Sequence, residues 1–243
     1  MKCILLCAGY ATRMYPLTEN FPKPLLDIKG KALIDYLIED LEGNNLIEEY
    51  IIVSNHKFIN HFNDWKDNNK YKNKISLLDD GSTDNDNRLG AVKDIWFAID
   101  KADISDDILV LAGDNLLDFS LKGFVDFSKE KNGNAVMRYY ESELARLQRT
   151  GVAVIDSNDK ILEMAEKPKE PKSNWAIPPF YIFRKECLKD IEEGIESGCK
   201  TDAPGGFIEW FSKRNEVYAY LMPGKRIDIG NLEDYYLINK EKI

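Results

Sequence analysis

The stretch Lys2–Asp27, KCILLCAGYATRMYPLTENFPKPLLD, decides how the rest of the chain is read. It opens on a short apolar run, Cys3-Ile4-Leu5-Leu6-Cys7, bounded by Gly9. A run of that length suits a buried strand of a parallel sheet better than a helix. The residues that follow, Ala8-Gly9-Tyr10-Ala11-Thr12-Arg13, are mostly small, so backbone can approach a ligand closely. Gly9 is free to take a positive φ that other residues resist. Successive N–H groups in such a turn form a concave nest for phosphate oxygens. Arg13 and Lys23 lie on the same excursion. Arginine offers a planar fork for two phosphate oxygens, and lysine a mobile point charge. Pro16, Pro22 and Pro24 stiffen the loop, which lowers the entropy cost of ordering it. An ordinary strand-to-helix turn with two surface cations would read much the same. The stretch matches neither G-x-x-x-x-G-K-[ST] nor G-x-G-x-x-G.

Length and composition set the bounds. The 243 residues suit one large α/β domain or two small ones, and apolar residues at 44% can fill a sizeable core. A net charge of −9 argues against a general nucleic-acid or anionic-membrane surface, though a local cationic pocket can sit in an acidic protein. Cys3, Cys7, Cys187 and Cys199 form no C-x-x-C pair and read as reduced thiols of a cytoplasmic protein. His56 and His61 are not at metal-ligand spacing on one helix face. No apolar run approaches a membrane span, and no signal peptide precedes the first strand.

Along the chain, helical spacing over Ala32–Glu42, a buried strand at Tyr50–Ser54, a polar helix at Lys57–Lys66 and a strand at Ile75–Leu78 set a β-α-β-α-β rhythm. That rhythm predicts a parallel sheet with helices on both faces. Asp79–Arg88 is a polar loop at the carboxyl end of the third strand, leading into a helix over Leu89–Lys101. Ligands of open α/β sheets bind beyond such ends. Ile108–Ala112 reads as the fourth strand, followed by Gly113-Asp114-Asn115, then a helix over Leu121–Lys131 and a strand over Ala135–Tyr140. Further on, Gly151–Ile155 and Ile161–Ala165 flank a hairpin turn, and a strand spans Phe180–Phe183. Helices are expected over 184–199, from Asp202 to about Lys213 and over Leu232–Lys242, with a strand at Val217–Met222. In Arg226-Ile227-Asp228-Ile229-Gly230, alternation sets Asp228 opposite Ile227 and Ile229.

The ordered string Ala8-Gly9-Tyr10-Ala11-Thr12-Arg13-Met14-Tyr15-Pro16-Leu17-Thr18-Glu19-Asn20-Phe21-Pro22-Lys23-Pro24 resembles the signature of the sugar-1-phosphate nucleotidyltransferases, the NDP-sugar pyrophosphorylases, with alanines at two of the family's glycines. Glu166-Lys167-Pro168, Pro171-Lys172-Ser173-Asn174-Trp175-Ala176 and Asp228-Ile229-Gly230 extend the resemblance over nearly the whole chain. Within that family it resembles the glucose-1-phosphate thymidylyltransferase and uridylyltransferase-type enzymes.

The resemblance implies an α/β fold, a three-layer Rossmann-like sandwich with a mixed, mostly parallel central sheet. A single domain would carry a nucleotide-binding half, 1–132, and a sugar-phosphate half, 133–243. It implies catalytic roles for Arg13, Lys23 and Asp114. Nucleotide contacts fall to Ala8–Arg13, Lys23 and Gly90, and acceptor contacts to Gly151, Glu166, Lys167 and Tyr181. Asp114 and Asp228 would hold Mg²⁺. The expected substrates are an NTP and a sugar 1-phosphate, with uracil, thymine and cytosine all open as the base, and no nucleic acid or membrane involved. Monomer and homo-oligomer both remain open. The alternatives are a cytidylyltransferase acting on a non-sugar phosphate such as phosphocholine, an NDP-sugar-dependent glycosyltransferase and a non-catalytic nucleotide sensor. Glycosyltransferases usually show D-x-D, where this chain has Gly113-Asp114-Asn115.

Overall fold

The computed structural model describes residues 1–240, and of Asp228 the backbone alone. Strand β1 (Lys2–Leu6) passes through single helical turns at Thr12–Met14 and Lys23–Leu25 into the small hairpin β2 (Asp27–Ile28) and β3 (Lys31–Ala32). There follow α1 (Leu33–Gly43), β4 (Glu49–Ser54), α2 (Ile59–Asp67), β5 (Ile75–Asp79), α3 (Ala91–Lys101), β6 (Ile108–Ala112), β7 (Asn115–Leu117) and α4 (Lys122–Lys131). The second half begins with β8 (Asn134–Tyr140), a short α5 (Leu144–Leu147), β9 (Gly151–Ile155), β10 (Ile161–Glu166), β11 (Trp175–Ile177) and β12 (Phe180–Phe183). It continues through α6 (Lys189–Glu196), α7 (Pro204–Phe211), β13 (Val217–Leu221), β14 (Arg226–Asp228) and α8 (Leu232–Lys240).

One ten-stranded sheet runs through both halves in the order β10-β9-β11-β8-β12-β6-β1-β4-β5, with β13 also paired to β8. β1 sits between β4 and β6, and every pairing from β6 to β5 is parallel. Beyond β6 the sheet turns antiparallel at β12. The unbroken apolar run of β1 follows from this place. Ile4 faces one core while Cys3 and Leu5 face the other, and all three are fully buried. The Ile4 face packs under α3, α6 and α7, where Phe183 meets Phe207 and Phe211 edge-on at centroid distances of 5.9 and 5.4 Å. The opposite face is covered by α1, α2 and α4. The result is the three-layer α/β sandwich that the strand–helix rhythm implies.

Three local features depart from the sequence reading. The helix expected over 184–199 is a single turn at Lys185–Cys187 followed by α6, and the next helix starts at Pro204 rather than Asp202. Proline fits the first helical position because its missing N–H has no partner there in any case. An unexpected strand, β11, runs along the same edge of β8 as β12 does. Pro178-Pro179 separate the two, and the sheet forks at that point, where a residue without a donor loses no ladder bond. β7 pairs antiparallel with β14, which sets Asp228 opposite Asn115.

The halves are stitched at the start of α3. Ala91 and Val92 donate their N–H groups to the carbonyls of Asp202 and Thr201, at 3.4 and 3.1 Å. Two orphan donors of the helix terminus are thereby satisfied from the second half of the chain. The preceding Gly90 has φ +92, and a Cβ there would stand 2.9 Å from the Thr201 carbonyl oxygen. Gly90→Ala combines a left-handed backbone with a backbone clash. It is expected to cost about 1–3 kcal/mol, seen as a lower urea midpoint at unchanged m-value; an unaltered midpoint would mean that the junction is not packed in solution.

Candidate active site

The turn after β1 is held from behind. Asn55, fully buried, donates from Nδ2 to the Ala8 carbonyl at 3.0 Å. Thr18, also fully buried, donates from Oγ1 to the Ala11 carbonyl at 2.8 Å. The left-handed residue of the turn is Ala11, at φ 45 and ψ 42, and not Gly9. A residue with a Cβ adopts that conformation at a cost of about 1–2 kcal/mol, so the surroundings impose it. Among the described residues, none of the six backbone N–H groups from Ala8 to Arg13 donates to a protein acceptor. All six residues line one open cleft of about 380 Å³. Unpaired N–H groups are costly when buried, and here they face space that a ligand can enter.

Arg13 is exposed and makes no ion pair among the described residues. Lys23, only 6% exposed, reaches the tip of β6 and donates to Asp114 Oδ2 at 2.7 Å. Arg13, Lys23 and Asp114 together line a smaller cavity of about 130 Å³ that adjoins the first. Asn115 braces the Asp114 end, donating from Nδ2 to the Ala112 carbonyl at 3.0 Å and to Asp114 Oδ1 at 3.2 Å, and accepting from Arg226 Nη1 at 2.9 Å. Strand register brings the Asp228 backbone beside this group, while its side chain lies outside the described residues. Among the described residues no three His, Cys, Asp or Glu side chains form a metal cluster. Among the described residues one carboxylate, Asp114, lines the smaller cavity, a hard oxygen donor of the class that magnesium takes one or two of alongside phosphate oxygens and water.

The other end of the larger cleft is lined by Tyr10, Asn85, Arg88, Gly90 and Asp94, with Asp202 and Pro204 from the second half. Arg88 spans the rim, donating to Asp202 Oδ1 from Nη2 at 2.7 Å and from Nε at 3.1 Å. Sequence reasoning missed Asp94. It sits in the first turn of α3, 6% exposed, and its Oδ1 is buried without a hydrogen-bond partner among the described residues. Burial pushes its carboxyl up to about 7, and the neighbouring Asp80 adds to the shift. The available signal was an acid flanked by the inward-facing Val92, Ile95 and Ala98.

The residues expected to contact the acceptor lie at a separate place. Register sets Glu166 opposite Gly151 across β9 and β10. Glu166 Oε2 lies against the start of α7, so close that a Cβ on Gly205 would stand 1.9 Å away. Lys167 Nζ is 3.8 Å from Glu166 Oε1. Burial raises the Glu166 carboxyl above its ordinary range, while Lys167 and Lys200 oppose that shift. Tyr181 is 2% exposed, with its ring stacked on Phe183, and burial, together with the nearby Glu166 carboxylate, pushes its hydroxyl above the ordinary range. Gly151, Glu166 and Lys167 are thus brought together, and Arg13, Lys23 and Asp114 likewise. Of the histidines, His56 contacts Asp79 at 2.6 Å and His61 packs edge-on to Phe21.

A family model described as "Nucleotidyl transferase" matches residues 2–243. The chain is 30% identical over 243 residues to a candidate mannose-1-phosphate guanyltransferase of Sulfolobus acidocaldarius, covering 99% of this chain and 63% of the relative. It is 33% identical over 247 residues to the bifunctional protein GlmU of Methanocaldococcus jannaschii, covering 99% and 54%. It therefore spans less than two-thirds of the length of either relative. The crystal structure of a UDP-glucose pyrophosphorylase complexed with UDP-glucose superimposes with a TM-score of 0.79 at 23% identity, over 98% of this chain and 96% of that one, a likeness of fold.

The Asp94 environment makes a stability prediction. Its native carboxyl titrates near 7 against 3.8 when unfolded. Between those values the native state binds the extra proton, so stability falls as pH rises and the full penalty is present above pH 7. Asp94→Asn mimics the protonated form. It is expected to raise stability at pH 8 by roughly 4 kcal/mol, with the gain vanishing toward pH 4. Denaturant titrations of both proteins across that range check it.

Proposed function

Because the chain belongs to the nucleotidyl transferase family, we propose that it transfers a nucleotidyl group from an NTP to a sugar 1-phosphate, forming an NDP-sugar and pyrophosphate. The observation that carries this reading is the row of unpaired N–H groups from Ala8 to Arg13, set beside Arg13 and Lys23 at the carboxyl end of the central strands. Such a row is a ready anion site, and two cations flank it.

The triphosphate lies along this turn, with its base toward Gly90 and Asp94. The sugar phosphate lies toward Gly151, Glu166 and Lys167. Glu166 accepts hydrogen bonds from sugar hydroxyls, and Lys167 holds the acceptor's phosphate. An acceptor phosphate oxygen attacks the α-phosphorus in line. A new P–O bond forms as the bond to the β-phosphate oxygen breaks, and pyrophosphate leaves with the electron pair. No proton transfer and no covalent enzyme intermediate are required. Arg13 and the turn N–H groups stabilise charge on the departing phosphates, and Lys23 stabilises charge at the α-phosphate. Asp114 and Asp228 would hold Mg²⁺, which when bound neutralises phosphate charge. Positioning of the two anions against their mutual repulsion is the larger part of the task. No observation favours the glycosyltransferase or sensor readings.

Pyrophosphate release is expected only with Mg²⁺, an NTP and a sugar 1-phosphate present together. Arg13→Ala is expected to lower kcat by about 10²-fold or more. Because Arg13 is exposed, its loss should shift stability by no more than about 0.5 kcal/mol. Sugar transfer from an NDP-sugar without pyrophosphate, or an unchanged kcat in the variant, would refute the proposal.

A further inference from the structure

Asp94 is an anomaly in the fold that its helix does not explain. A buried carboxylate is ordinarily paired or hydrogen-bonded, because desolvating it alone is costly. Asp94 Oδ1 is buried without a hydrogen-bond partner among the described residues, while the residue, only 6% exposed, lines the larger cleft. Behind it Asp80 is also inward. Its Oδ1 accepts from the Ser82 N–H and Oγ–H, both at 2.7 Å, and its Oδ2 is buried without a partner. This end of the cleft therefore presents hydrogen-bond acceptors and lacks donors to match them. Of the side-chain donors at this end, the Tyr10 hydroxyl is turned to Ser82 Oγ at 3.4 Å, and Arg88 and Asn85 stand at the rim, where both residues are exposed.

We propose that Asp94 selects guanine, its carboxylate accepting from the base's N1–H and its 2-amino group. The proposal rests on the nucleotidyl-transfer reading for the role of the cleft. Among the common bases only guanine presents two adjacent donors on its Watson–Crick edge. Uracil and thymine present one N–H between two carbonyls, which a carboxylate repels. Adenine and cytosine present an amino group beside a ring-nitrogen acceptor, so a carboxylate meets one donor and one lone pair. The guanine O6 and N7 acceptors then fall to Arg88 and Asn85. Occupation also explains why an unpaired acid is kept: bound guanine supplies the missing donors, and the cost of the empty pocket becomes discrimination.

The test is a specificity reversal. Wild-type protein is assayed for pyrophosphate release with GTP, ITP, XTP, ATP, UTP, CTP and dTTP against a panel of hexose 1-phosphates, and Mg-nucleotide binding is measured by calorimetry in parallel. GTP is expected to exceed ITP, which lacks the 2-amino group, by roughly 10- to 100-fold in kcat/KM or affinity. Asp94→Asn replaces one acceptor by an N–H donor, which suits the C2 carbonyl of xanthine. It is expected to depress GTP by a similar factor and to place XTP above GTP. Loss of a merely structural carboxylate would not exchange the two. A wild-type preference for a pyrimidine or adenine nucleotide, or an unchanged GTP-to-XTP ratio in the variant, overturns the proposal while leaving nucleotidyl transfer intact. If no pyrophosphate forms with any pair, nucleotidyl transfer fails, and the calorimetric GTP-to-XTP ratio still decides for or against guanine.

Discussion

Two carbonyls of the turn after β1, those of Ala8 and Ala11, are held by buried side chains, and the cleft depends on that. Asn55 and Thr18 bind the Ala8 and Ala11 carbonyls, and both side chains are fully buried. With the acceptors held on one side, the N–H groups of Ala8–Arg13 are left for the cleft. The turn can be held this way because β1 is anchored on both edges by parallel partners and on both faces by core. The strain at Ala11 belongs to the same arrangement. A left-handed alanine is unfavourable in isolation, and it persists because its surroundings over-determine it.

A protein with net charge −9 can still bind a polyphosphate because charge acts over short distances. Lys23 is buried beside Asp114, and this pairing keeps a cation at the cleft floor in the absence of ligand. Arg13, exposed at the mouth, carries no such partner among the described residues. The two cations thus differ in kind. One is fixed in place by an acid, and the other is exposed at the mouth of the cleft.

Sequence legibility followed physical range. The β1 strand could be read because an apolar run buried on both faces shows no alternation, and the helices because their periodicity is local. The positive φ was expected at Gly9 by intrinsic preference, yet the structure puts it at Ala11, since preference ranks residues without saying where a turn bends. β11 escaped notice because Trp175–Ile177 is short and followed directly by Pro178-Pro179, and its existence rests on β8 and β9. The juxtaposition of Asp228 with Asn115 is a pairing between distant strands that no local pattern encodes. Asp94 was overlooked for a different reason. An acid in the first turn of a helix has a familiar electrostatic explanation, and only the folded surroundings reveal that it is buried without a donor.

The segment from Thr201 to Gly206 gives the two halves a common wall. Its first carbonyls cap α3, beside the Gly90–Asp94 end of the cleft, and the Asp202 side chain holds Arg88 at the rim. Two residues later the same segment becomes the start of α7, where Gly205 lies against the Glu166 carboxylate. Pro204 separates the two duties and restricts the backbone between them. The larger cleft and the surroundings of Glu166 are therefore built on opposite ends of one short, constrained piece of chain. A side chain added at Gly205 would meet Glu166, and one added at Gly90 would meet Thr201, so space is tight at both ends. In-line attack requires two bound anions to be held at a fixed separation and angle. Under the proposed transfer, a shared wall with little slack would supply that constraint.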